Sequence, residues 1–176
     1  MKKLIIVLLL TVAVPFSLKA TTPEERSCNL ELIARGGYNF LENAPITSCA
    51  IVMQLWSIRT EMDIGWTQFT LPDNSKSNFC CISTMIGYSY ITKHSFYALI
   101  GIANCGATEI TTDESLPYTL ESMMRGKVKV GCNLFVTKKL FFNIDLSYIW
   151  PPLKKHPEFY TTYTGLNLTA GLGVKI

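Results

Sequence analysis

Apolar and polar side chains alternate with a period of two along most of this chain, the pattern of strands with one face in oil and the other in a polar setting. In the run at 29–41, Leu30, Leu32, Ala34, Gly36, Tyr38 and Phe40 share one face, opposite Glu31, Arg35 and Asn39. Further runs fall at 49–58, 62–71, 79–91, 96–107, 121–136, 140–150 and 165–176. The sixth sets Val128, Val130, Cys132 and Leu134 against Lys127, Lys129 and Asn133. In the seventh, Phe142, Ile144, Leu146 and Tyr148 oppose Asn143, Asp145 and Ser147. The last sets Leu166, Leu168, Ala170, Leu172, Val174 and Ile176 against Asn167, Thr169 and Lys175. The second and fifth runs are more uniformly apolar. A helix over 50–59 is disfavoured by β-branched residues and the lack of a cap.

The connections alternate too. Short ones are expected at 59–61, 92–95 and 137–139, and long, turn-rich ones at 42–48, 72–78, 108–120 and 151–164. The pattern predicts an all-β, eight-stranded antiparallel up-and-down barrel, with long loops at one end and tight turns at the other. That asymmetry is characteristic of transmembrane barrels.

Ahead of the strands, Lys2-Lys3, the apolar run 4–14 and the stretch ending at Ala20 read as a signal peptide over 1–20. The segment 21–28 then leads into a barrel over 29–176. Without Lys2, Lys3 and Lys19, the 16 basic residues fall to 13, equal to the 13 acidic ones. No basic stripe interleaved with aromatics remains, so nucleic acid is not an expected partner. Charged residues make up only 16 % of the chain, yet after the leader no apolar run is long enough for a spanning helix. Six cysteines in an exported chain point to an oxidising compartment. None is arranged as C-x-x-C, and no histidine stands at ligand spacing from one, so no metal or cofactor is expected.

Whether the apolar face meets lipid or an interior decides between a membrane barrel and a soluble one. Aromatic residues gather toward both strand ends. Tyr38, Phe40, Phe69, Phe79, Tyr148 and Trp150 lie at the long-loop end, and Trp56, Tyr88, Tyr90, Phe96, Tyr97, Phe141 and Phe142 at the other. Two such belts fit the two membrane interfaces. The opposite face then lines a lumen, with Glu31, Arg35, Lys127, Lys129, Asn143, Asp145 and Lys175 as candidates. Eight strands enclose little more than side chains, so a packed ionic interior is expected rather than a wide channel. Ile176 falls on the apolar face of the last run, as suits a strand closing against the first.

The leader, the early "RGGYNF", the paired runs of "GKVKVGCNLFVTKKLFFNIDLSYIW" and the closing "LNLTAGLGVKI" together resemble the small eight-stranded bacterial outer-membrane barrels. That group includes the opacity proteins, the membrane domain of outer membrane protein A and outer membrane protein W. Its last strand usually ends in an aromatic residue, where this chain has Ile176. The resemblance implies residence in the bacterial outer membrane, contact with its lipid and lipopolysaccharide, and delivery by the outer-membrane assembly machinery. Six cysteines are atypical of the group and look more like envelope proteins cross-linked by disulfides. The disulfide candidates are Cys49, Cys80, Cys81 and Cys105, with other envelope proteins or a host surface as partners. The expected hairpin register sets Cys105 opposite Ile82, diagonal to Cys80.

Catalysis has little support. His94 falls in a turn and His156 in a proline-rich loop, neither sharing a strand face with a serine and an acid. The expected role is structural or surface interaction, carried by the acidic "TEITTDESLPY" and the mixed "PPLKKHPEFYTTY" loops. The alternatives are a narrow conduit for small solutes and a soluble exported barrel holding an apolar ligand.

Overall fold

A computed structural model of the protein describes residues 28–41, 43–70, 76–109, 123–150 and 164–176. The expected leader, His156 and nearly all of the two loops singled out above lie outside the described residues. Eight strands follow in chain order: β1 (Cys28–Asn39), β2 (Ala44–Leu55), β3 (Ile58–Thr70), β4 (Lys76–Ile91), β5 (Ser95–Glu109), β6 (Met123–Phe135), β7 (Leu140–Ile149) and β8 (Gly165–Lys175). Each pairs antiparallel with the next, and β8 pairs with β1 to close a barrel. At the seam the Ile176 amide donates to the Leu30 carbonyl at 2.8 Å, so the chain stays paired to its last residue. Closure removes the free edges that an open sheet would expose to lipid.

The register also sets the tilt. Partners followed once round from Glu31, through Val52, Glu61, Met85, Gly101, Lys127 and Ile149, reach Gly165. Gly165 then stands level with position 41, ten residues up β1 from the start. A stagger of this kind obliges the strands to lean against the barrel axis.

Alternation holds around the whole wall. On the outside, Val130, Leu146 and Leu168 follow one another across β6, β7 and β8, each more than a third exposed. Lys129 and Asp145, next to them in sequence, are 2 % exposed and point inward. Isoleucine, leucine and methionine cover much of the remaining exterior, including Ile51, Met62, Ile82, Ile100 and Ile144. Tyr38, Phe40, Trp66, Tyr148 and Trp150 stand outward near the loop end, and Trp56, Phe96 and Phe142 near the turn end. Three aromatics expected in those belts turn inward instead: Phe79, Tyr97 and Phe141 are buried.

Two connections differ from expectation. The turn expected at 59–61 is the pair Trp56–Ser57, closed by the partners Leu55 and Ile58. Trp56 takes a positive φ of 55°, the left-handed twist that two-residue hairpins demand and that usually falls to glycine or asparagine. The segment 42–48, expected as a long loop, is largely strand: β2 already starts at Ala44, leaving only 40–43 between β1 and β2. Pro45 at its start pairs with Tyr38 on β1 but lies outside the ladder to β3, where the missing N–H costs nothing. β2 alternates cleanly in burial, yet Ala44, Ile46, Ala50 and Val52 on its inner face are as apolar as its outer one.

Candidate functional site: the filled lumen

The strand ladder puts every second residue inside, and the sequence makes many of those residues charged. β1 contributes Glu31 and Arg35, β3 contributes Arg59, Glu61 and Asp63, β6 contributes Lys127 and Lys129, and β7 contributes Asp145. All eight are at least 94 % buried. Four carboxylates and four cations thus join into one network, and a fifth buried cation, Arg125 on β6, lies nearer the loop end.

Arg35 is the hub. Its Nη1 lies 3.0 Å from Glu61 Oε1 and 3.5 Å from Asp63 Oδ1, and its Nε lies 2.9 Å from Asp145 Oδ2. The same Nε donates to Asn143 Oδ1 at 2.6 Å. Lys129 Nζ reaches Glu61 Oε1 at 2.6 Å and Asp63 Oδ2 at 3.2 Å. Lys127 Nζ binds Asp63 Oδ2 at 3.0 Å and Ser83 Oγ at 2.9 Å. Toward the turn end, Arg59 Nη1 pairs with Glu31 Oε2 at 2.9 Å, and its guanidinium carbon lies 4.2 Å from the centre of the Tyr97 ring.

Neutral amides and hydroxyls take up lone pairs that the cations leave. Asn133 donates to Glu31 Oε2 at 3.2 Å, and Thr169 to Asp145 Oδ1 at 2.7 Å. Asn143 Nδ2 donates to Tyr97 Oη and to Asn133 Oδ1, both at 2.8 Å. Buried charges persist only when paired and hydrogen-bonded in this way. The bonds join strands that are not neighbours in the wall, β1 to β3 and β7, and β3 to β6, so they cross the interior rather than run along its lining.

Apolar packing lies beyond the ionic band at the loop end and interleaves with it toward the turns. At the loop end Ala44, Ile46, Phe79, Cys81, Ala103, Cys105 and Ile149 form one cluster. In the turn-end half Ile33, Ala50, Val52 and Phe141 form a second, with Phe135 against it, and Met85, Tyr97 and Leu99 a third. Glycines make room for the large rings. A Cβ on Gly173 would stand 2.2 Å from the Phe141 ring, and one on Gly131 would stand 2.5 Å from the Tyr97 hydroxyl.

Of the lumen candidates read from sequence, Glu31, Arg35, Lys127, Lys129, Asn143 and Asp145 meet in this network. Lys175 does not: it is half-buried at the turn end, and its backbone amide donates to the Lys139 carbonyl at 2.7 Å. Arg59, Glu61 and Asp63 are the members that sequence reasoning missed. Placing the turn at 59–61 took two of them out of the strand. The signal that finds them is the alternation Arg59, Glu61, Asp63 against Ile58, Met62 and Ile64.

No disulfide joins any of the six cysteines in this structure. Cys49 and Cys80 face outward, on strands separated by β3. Cys105 stands opposite Cys81, not Ile82, because the connection between β4 and β5 is 92–94 and Ile91 pairs with Ser95. One residue less in the turn moves every partner by one. His94 lies in that turn, and among the described residues no group of histidine, cysteine, aspartate and glutamate is arranged to hold a metal.

The N-terminal β-barrel domain of Pseudomonas aeruginosa OprF superposes with a TM-score of 0.58 at 16 % identity, over 84 % of this chain and 97 % of that one. The Pseudomonas aeruginosa outer membrane protein OprG gives 0.54 at 8 % identity, over 86 % and 97 %. Neisserial surface protein A gives 0.52 at 12 % identity, over 85 % and 96 %. The fold is that of the small eight-stranded outer-membrane barrels. No family model and no curated protein matches the sequence. On this fold an exterior of leucine, isoleucine and aromatics is a surface for lipid, and the outer membrane is where its carriers reside. A soluble barrel with an apolar ligand inside is excluded by that exterior and by an interior crossed by ion pairs.

Proposed function

We propose that the protein is a non-conducting, non-catalytic barrel of the bacterial outer membrane, serving envelope structure or surface interaction through its external loops. The observation that carries this reading is the network from Arg35 through Glu61, Asp63 and Asp145 to Lys127 and Lys129. Its bonds span the barrel, and apolar clusters fill the space around and beyond it. A solute path along the axis would have to part buried ion pairs at a cost of several kcal/mol each. With the interior closed, partners are left to the four connections that join β1 to β2, β3 to β4, β5 to β6 and β7 to β8, the sequences of the last two being the longest. A surface role fits one of the similar folds, which is named a surface protein.

The test is conductance. Purified, heat-modifiable protein inserted in planar bilayers is expected to leave the membrane silent. Steps of reproducible size that disappear on charge reversal at Lys129 or Asp145 would replace this reading with the narrow conduit.

A further inference from the structure

Cys81 on β4 and Cys105 on β5 are direct cross-strand partners. Both point into the lumen, 2 % and 3 % exposed, and their sulfur atoms stand 2.6 Å apart. They lie within the apolar cluster at the loop end, beside Phe79, Ile46 and Ala103. Directly opposed residues of antiparallel strands have Cα atoms about 4.5–5.5 Å apart, inside the roughly 4.4–6.8 Å that a disulfide spans. The remaining thiols are placed differently: Cys28 and Cys49 are exposed, and Cys80 and Cys132 are half-buried in the outer face.

We propose that Cys81 and Cys105 are a disulfide site, oxidised in the β4–β5 hairpin before the barrel closes and sealed inside afterwards. The oxidant is the disulfide of a periplasmic dithiol oxidase. The thiolate of one cysteine attacks a sulfur of that disulfide, giving a mixed disulfide and releasing one oxidase thiol. The second cysteine's thiolate attacks the mixed disulfide at its partner's sulfur and expels the other oxidase thiol. Two electrons and two protons pass to the oxidase, and one S–S bond replaces another. Timing follows from burial. A protein oxidant must touch the thiols it oxidises, and in the closed barrel both lie behind the wall in a filled interior. The hairpin alone already holds the pair in register, because its turn spans only 92–94.

The test uses the full chain, expressed in a Gram-negative host and extracted from outer membranes without reductant. Free thiols are alkylated in denaturant and counted by mass. Of the six cysteines, four are expected to react before reduction and all six after it, with Cys81 and Cys105 in one joined peptide pair. Because Cys80 shares a peptide with Cys81, Cys80→Ser is the informative variant: it keeps the link, whereas Cys81→Ser and Cys105→Ser each abolish it. In a host lacking the dithiol oxidase, all six thiols are expected to react. Folded protein in detergent is expected to lose the bond to dithiothreitol at least about tenfold more slowly than heat-unfolded protein. Six reactive thiols in folded wild-type protein from the oxidase-positive host, or loss of the link in Cys80→Ser, would overturn the assignment. Equal reduction rates in folded and unfolded protein would overturn the sealing.

Discussion

Asp63 offers the sharpest probe of the ionic interior. Its carboxylate receives Lys127 at 3.0 Å, Lys129 at 3.2 Å and Arg35 at 3.5 Å. Lys129 and Arg35 each keep Glu61, at 2.6 Å and 3.0 Å, when Asp63 is neutralised. Lys127 has no second carboxylate among its ion pairs and is left with the Ser83 hydroxyl at 2.9 Å. Asp63→Asn therefore strands one buried ammonium while conserving volume. Removing one partner of a buried pair costs about 3–5 kcal/mol, most of it the penalty of the abandoned charge. The lower end, about 3 kcal/mol, is expected here, since the new amide oxygen and Ser83 still accept hydrogen bonds. Lys127→Met strands a carboxylate that keeps Lys129 and Arg35, so about 2 kcal/mol is expected. In the double variant three carboxylates face three cations, and neutrality returns. Its cost should fall below that of Asp63→Asn alone, which makes the coupling about 2 kcal/mol or more, beyond the ~0.5 kcal/mol within which independent sites add. Urea unfolding of purified protein in lipid vesicles, read by the heat-modifiable gel shift, measures all four species. Additivity within ~0.5 kcal/mol, or single costs under ~1 kcal/mol, would refute the premise that these charges are buried and mutually dependent.

Other substitutions test the remaining surfaces. Leu146 lies mid-strand on the outer face, between Val130 and Leu168, so Leu146→Arg should cost about 2–4 kcal/mol in vesicles, as charge at a bilayer midplane does. A cost near zero would mean that this face does not meet hydrocarbon. Phe141 is fully buried, and Phe141→Ala should cost about 3–5 kcal/mol in the same urea assay. Gly173→Val meets the Phe141 ring and should cost about 1–3 kcal/mol by overpacking. Combined with Phe141→Ala it should cost less than the two together; additive costs would show that the ring does not occupy the space above Gly173.

Legibility in the sequence depended on contrast between faces. β1, β6, β7 and β8 carry apolar residues on one side and charges or amides on the other, and their faces could be read directly. The ends of β2 could not, because Ala44, Ile46, Ala50 and Val52 inside resemble Ile51, Met53 and Leu55 outside. The β2–β3 turn was hidden for a related reason. Trp56–Ser57 has none of the glycine, asparagine or proline that marks a tight turn, so the pattern points to a break three residues later, among polar side chains. That shift took Arg59 and Glu61 out of the strand and broke the alternation that links them to Asp63, at the centre of the network. The cysteine pair was missed by a single residue of turn length, a quantity that side-chain pattern does not encode.

The distribution of charge over the strands bears on how the chain enters a membrane. Arg35 on β1 is bonded to Asn143, 108 positions away, and Lys129 on β6 to Glu61, 68 positions away. Only the first hairpin, β1–β2, carries one acid and one base, Glu31 and Arg35; β3 brings Arg59 against Glu61 and Asp63, and β6 and β7 together bring Arg125, Lys127 and Lys129 against Asp145 alone. Threading hairpins into the bilayer one after another would strand naked ammonium and carboxylate groups in hydrocarbon. The polypeptide must instead cross as a nearly completed cylinder, its first and last thirds already in each other's company, so that electrostatic self-sufficiency is reached before the oil is.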